Sequence, residues 1–213
     1  MGIVSEQPMS SRSGNCNATT AGWHCRESKA RPTAYTWRMV LREAVEADYA
    51  EIIDLANLAY RGREGAVPSW NIEKGIVGGQ RLDPSLLREE LAAKPNGALL
   101  VYREDADGPL LGTAWLNPES EDIWSMGLLT VRPDLQNQHL GRKLLTAAED
   151  YARERGAKRM RLGVLHMRDT LIAWYERRGY RKSGESEPWP HDDPRFGTPL
   201  VENLRFLILE REL

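Results

Sequence analysis

Cysteine is nearly absent from this sequence: Cys16 and Cys25 are its only two, both within the first thirty residues. A disulfide framework for the remaining chain is therefore excluded. His24 stands beside Cys25, but four ligands at zinc spacing are not there, so no metal is expected. No apolar run approaches the ~18–20 residues that a bilayer-spanning helix needs. The opening MGIVSEQPMS lacks a basic region followed by an apolar stretch, which argues against a secretory signal. It also misses the myristoylation pattern, because Ser5 falls one place early. A cytoplasmic protein without a membrane partner is the expectation.

What is present suits one globular domain. The chain has 213 residues, 41% of them apolar and 28% charged, enough for one substantial core and short for two. The net charge of −2 conceals an uneven distribution. Residues 136–182 carry twelve Lys/Arg against five Asp/Glu, and the remainder is acidic. A basic zone in an acidic protein points to a polyanionic ligand or to a solvated helical face. Its cations are not interleaved with exposed-looking aromatics, so nucleic acid is not an expected partner.

Residues 1–34 are polar and aperiodic and read as a disordered or expression-derived tail, leaving 35–213 as a single domain. Tyr35–Arg42 alternates as a first strand, and Ala47–Tyr60 has the apolar spacing of a helix. Residues 61–82, with several glycines, Pro68 and Trp70, read as a loop or broken helix. Asp83-Pro84 opens a helix through Leu91, ended by Asn96-Gly97. Ala98–Tyr102 and Leu110–Leu116 flank Asp107-Gly108-Pro109 and read as a hairpin. Ile123–Val131 is a third apolar strand, stopped by Pro133. Leu140–Arg155 carries one apolar stripe and ends at Gly156, where a left-handed cap is expected. Lys158–Leu165 reads as a strand, Thr170–Arg178 as a helix and Leu204–Leu209 as a closing strand. The order predicts a mixed α/β domain.

The segment carrying chemistry is LLTVRPDLQNQHLGRKLL, residues 128–145. A strand ends at Val131 and a helix begins near His139, which aims unpaired backbone N–H groups and a positive helix end beyond the strand. Arg142 and Lys143 in the first turn would weaken an isolated helix by up to ~1 kcal/mol, and a phosphate there relieves that conflict. Neither a Walker lysine motif nor Gly-x-Gly-x-x-Gly is present, which argues against a plain nucleotide-binding domain.

Gln136-x-x-x-x-Gly141 after Val131-Arg132-Pro133-Asp134-Leu135 resembles the acetyl-CoA pyrophosphate loop of the GNAT superfamily of N-acetyltransferases. The loop's middle glycine is replaced by His139, which tolerates unusual φ and can itself donate to phosphate. Leu171-Ile172-Ala173-Trp174-Tyr175-Glu176-Arg177-Arg178-Gly179-Tyr180 is similar to the family's second motif, with Arg168 where that pattern has Asn. The two matches together cover roughly residues 36–182.

The resemblance implies the GNAT fold, a central mixed, mostly antiparallel sheet flanked by helices. It implies acetyl transfer from acetyl-CoA, the co-substrate, to a primary amine of a small-molecule acceptor by direct attack, without a covalent intermediate or a metal. A CoA-holding module without catalysis is the alternative, and self-association into a homodimer is left open. Tyr175 is then the residue that protonates the departing thiolate. Strand residues Leu129, Thr130 and Val131 and loop residues Gln136, Asn137, Gln138, His139, Leu140, Gly141, Arg142 and Lys143 form the acetyl-CoA site. Gly127 is the candidate bulge in that strand. Arg61, Glu64 and Trp70 are expected against the acceptor, with Pro188–Pro199 as another wall. Glu119, Glu121, Asp122 and His166 are the candidate bases, beside deprotonation through water.

Overall fold

The computed structural model describes residues 39–191, 193 and 196–213, together with the backbone of 17–19 and 22–24. The last two form a small unit of their own, in which β1 (Asn17–Thr19) pairs antiparallel with β2 (Gly22–His24). The rest of the proposed tail, with Cys16 and Cys25, lies outside the described residues, as does the start of the first predicted strand.

The second unit is built on seven strands. They are β3 (Val40–Glu43), β5 (Ala98–Arg103), β6 (Leu110–Pro118), β7 (Ile123–Val131), β8 (Arg159–Leu165), β9 (Arg181–Pro188) and β11 (Arg205–Glu212). Their order across the sheet is β3-β5-β6-β7-β8-β11-β9, antiparallel except where β7 meets β8. Two short strands, β4 (Val77–Gly78) and β10 (Thr198–Pro199), pair beside it. The helices are α1 (Tyr49–Arg61), α2 (Pro84–Ala93), α3 (Leu140–Arg153) and α4 (Asp169–Glu176).

The amphipathic stripe of α3 buries Leu140, Leu144, Leu145, Ala148 and Ala152 on one face of the sheet with Leu100, Leu116 and Met160. On the other face α1 buries Ile52, Leu55 and Ala56 with Leu87, Val101 and Trp115. Gly112 sets how closely α3 approaches β6, because a Cβ there would lie 2.9 Å from Leu144 and 2.7 Å from the Thr130 carbonyl. Asp83 caps α2 as its sequence signature requires, accepting from the N–H groups of Ser85 and Leu86 at 2.8 and 3.0 Å. Gly156 adopts φ +97° behind α3, the left-handed stop expected there.

Two features place the site. β7 and β8 pair only from Ile123↔Arg159 to Ser125↔Arg161, so beyond Ser125 the sheet opens. β7 also bulges: Gly127 faces Trp115 and Thr130 faces Thr113, leaving Leu128 and Leu129 opposite Ala114 alone. The residue in the left-handed region is Leu128, at φ 50°, so Gly127 is not the strained bulge residue. The bulge inverts the strand's alternation. Trp124 and Met126 join the α3-side core, whereas Leu128 joins the α1-side core and Leu129 and Val131 pack toward α3.

Candidate active site

A cleft of about 320 Å³ occupies the opening between β7 and α4, with the start of α3 along one wall. Leu129, Thr130 and Val131 line it from β7, and Gln136, Asn137, His139, Leu140, Gly141 and Arg142 line it from the following loop and helix. Predicted residues Gln138 and Lys143 are exposed and outside the lining.

The loop owes its shape to two residues in the left-handed region, Asn137 at φ 68° and His139 at φ 62°. Both residue types tolerate that region better than most. His139 is the N-cap of α3, yet no side chain caps the helix, so its first N–H groups are left for a ligand. Gly141 leaves space in front of them: a Cβ there would touch only Trp174, at an ordinary 3.6 Å.

The charge beside this helix end is of one sign. Arg142, Arg177 and Arg178 line the cleft, and among the described residues none of the three is paired with a carboxylate. Burial first, and then the neighbouring guanidiniums of Arg177 and Arg142, push the Arg178 pKa down. Arg178 is held by stacking on Trp174 at 3.5 Å and by donating to the Trp174 carbonyl at 2.6 Å.

Tyr175 lies in the same cleft, 7% exposed and packed edge-on against Trp174 and Tyr180. Burial raises its pKa well above that of an ordinary phenol, with the Tyr60 phenol adding to the effect. Its hydroxyl makes no hydrogen bond among the described residues, so it is a protonated donor without a partner. Thr130, 1% exposed, faces the Tyr60 phenol without the geometry of a hydrogen bond, leaving its Oγ1 unpartnered.

A short strap, residues 69–72, closes one side. Gln136 accepts from the Trp70 N–H at 3.1 Å and donates to Ser69 Oγ at 3.2 Å. Asn71 donates to the Leu129 carbonyl at 3.0 Å, on the bulge. Arg168 donates to the carbonyls of Trp70, Asn71 and Ile72. No sequence signal beyond the departure from Asn at position 168 marks that residue for this task.

Other expected residues are placed elsewhere. Arg61 is a structural pin outside the cleft, bonded to Glu73 and to the carbonyls of Gly79 and Phe196. Glu64 is exposed on its loop and does not line the cleft. Trp189 and Phe196 of the Pro188–Pro199 stretch pack on Phe206 and Leu204 in a satellite core, and the described residues of the stretch do not line the cleft. Glu119 and Asp122 pair with Arg161 and Lys158, and with Glu121 they precede β7. At ~3.3 Å per residue they stand more than ~20 Å from its far end, too distant to act as bases. His166, with an unpartnered buried Nδ1, does not line the cleft.

The model of the acetyltransferase (GNAT) family matches residues 49–180, which contain both the bulged strand and the α3 loop. The chain belongs to the GNAT family. A mycothiol acetyltransferase of Rhodococcus jostii is 27% identical over 66% of this chain and 51% of its own length. A second, from Cellulomonas flavigena, is 30% identical over 50% of this chain and 34% of its own. The chain thus spans about half the length, or less, of these relatives. A putative acetyltransferase from Salmonella typhimurium, solved with its cofactor acetyl-CoA, superposes with a TM-score of 0.57. It is 21% identical, and the match covers 82% of this chain and 94% of that one. A ribosomal-protein-alanine N-acetyltransferase from Brucella melitensis superposes at 0.58 with 18% identity, over 82% of this chain and 99% of that one. At such identities these two structures speak for the GNAT fold alone, and that is the fold built here.

Proposed function

We propose that this GNAT protein transfers the acetyl group of acetyl-CoA to an amine held in the cleft beside the opened strand β7. The observation that carries the reading is the meeting, in one cleft, of an uncapped helix N-terminus with three guanidiniums that have no carboxylate partner among the described residues. Such a constellation fits a pyrophosphate, and the residues present fit the rest of the co-substrate: an open backbone at Gly141 and a strand edge freed beyond Ser125.

Acetyl-CoA supplies an activated acetyl thioester. The chain's own residues bind and steer. The N–H groups of Leu140 and Gly141 and the guanidinium of Arg142 fix the anionic end. The β7 backbone at Leu129–Val131 orients the extended arm in the opening left by β8. The bulge at Leu128 holds that backbone in a strained form that an amine and an oxyanion can approach without rearrangement of the strand. Tyr175 holds a proton, since burial keeps its phenol neutral, and delivers it to the departing sulfur, while the proton lost by the attacking amine passes through water to restore the phenol.

Tyr175→Phe tests the assignment, because it removes the proton and keeps the packing against Trp174 and Tyr180. General acid help is worth ~10²–10⁴ in rate, so kcat should fall in that range, read as CoA thiol release with an accepted amine. The KM for acetyl-CoA should stay within about three-fold, because the proton matters in the transition state. A Phe variant turning over at the wild-type rate assigns the proton to solvent.

A further inference from the structure

Trp70 combines two properties that rarely coincide. The residue is 58% exposed at the edge of the cleft, while its peptide groups are fixed on both sides. The N–H donates to Gln136 Oε1 at 3.1 Å and the carbonyl accepts from Arg168. The next two carbonyls, of Asn71 and Ile72, accept from Arg168 at 3.1 and 2.7 Å. An indole in water forgoes burial, and a backbone pinned at every polar group has already lost the freedom that binding would otherwise remove. It is a rigid platform on which no ring of the described residues stacks.

The electrostatics of the same cleft narrow what can stack there. Its lining includes no Asp or Glu among the described residues, and its ionisable groups besides Tyr175 are His139, Arg142, Arg177 and Arg178. Glu73, the acidic residue just past the strap, is buried and paired with Arg61. The guanidinium of Arg168 is turned onto the strap carbonyls. With acetyl-CoA bound, its phosphates take the guanidiniums of Arg142, Arg177 and Arg178, and a polyamine or an aminoglycoside would then bring additional ammonium groups to a lining that offers no carboxylate among the described residues to receive them.

Resting on the acetyl-transfer reading, we propose the acceptor's class. It is an amine whose amino group is its only positive charge, and whose planar apolar body stacks on Trp70. Arg168 is the positioning residue that presents the platform.

The experiment has two stages. Calorimetry of wild type with acetyl-CoA comes first, and failure to bind there overturns the acetyl-transfer reading itself. Phenylethylamine and phenylalanine amide are then compared with spermidine and kanamycin, by CoA release and by calorimetric binding to the CoA-saturated protein. The aromatic monoamines should lead in kcat/KM, or in affinity where turnover is slow, by at least about ten-fold. Trp70→Ala and Arg168→Ala should each raise the acceptor KM or Kd about ten-fold, Trp70→Phe less than about three-fold, with acetyl-CoA affinity kept in all three. Preference for the polycations, no binding or turnover of either monoamine, or an unmoved acceptor constant in Trp70→Ala overturns the proposal. An Arg168→Ala protein that weakens acetyl-CoA and the acceptor alike overturns its positioning role.

Discussion

His139 occupies a position for which the family pattern has glycine, and it does so at φ 62°, ψ 10°. Left-handed backbone costs most L-residues ~1–2 kcal/mol, less for His, Asn and Asp, and is a genuine outlier for a β-branched side chain. His139→Gly should therefore leave unfolding free energy unchanged or raise it by up to ~1 kcal/mol, the relief offsetting glycine's extra freedom when unfolded. His139→Val should lose more than ~1 kcal/mol. Urea unfolding of the three proteins checks the order, and a Val variant as stable as wild type would mean that the loop is not held in this conformation. The identity of His139 as a departure was legible in the sequence. Its backbone geometry was not, because φ follows from how the 3-10 turn Pro133–Leu135 and α3 meet.

At the scale of elements, reading succeeded where burial imposes a period. The stripe of α3 and the capping of α2 by Asp83 are local signatures, and both stand within two residues of their expected ends. β9 escaped notice because all eight of its side chains are exposed, so no alternation marks it; its charged, solvated character suits a sheet edge. The strap contacts of Arg168 and Gln136 span 97 and 66 residues of sequence, beyond the reach of any local pattern.

Likewise hidden was the junction of β3, β5 and α1, where Asp48 accepts from Arg42 at 2.6 and 2.9 Å, from Arg103 at 2.7 Å and from the Val45 N–H at 2.8 Å. These bonds, Arg42 first, hold its carboxyl well below the usual carboxylate range. A depressed pKa contributes stability above the unfolded value, near ~3.9, that is lost as pH falls through the folded one. Asp48→Asn should cost about 3 kcal/mol at pH 7, with a gap to wild type that narrows below about pH 3. Denaturant melts at the two pH values measure it, and a gap independent of pH would assign the loss to packing.

In the larger unit, one opening in the seven-stranded sheet organises the site. The bulge of β7 and its parting from β8 place α3's N-terminus, the guanidiniums of Arg142, Arg177 and Arg178, and Tyr175 around a single cleft. The basic zone visible in the sequence proves to hold these cations, while others, such as Arg159 and Arg161, are paired with Glu212 and Glu210 on the neighbouring strand. Composition alone could not divide the two groups, because pairing is decided by sheet order. The account stands on the co-substrate entering at Gly141. A Gly141→Trp side chain would project toward Trp174 and fill the space before the helix N–H groups, without strain on a helical backbone. Titration calorimetry with acetyl-CoA is the direct measurement. Wild type should bind, and the variant should bind at least about 100-fold more weakly with a melting temperature within about 2 °C. Equal affinity in a folded Gly141→Trp protein would contradict the site.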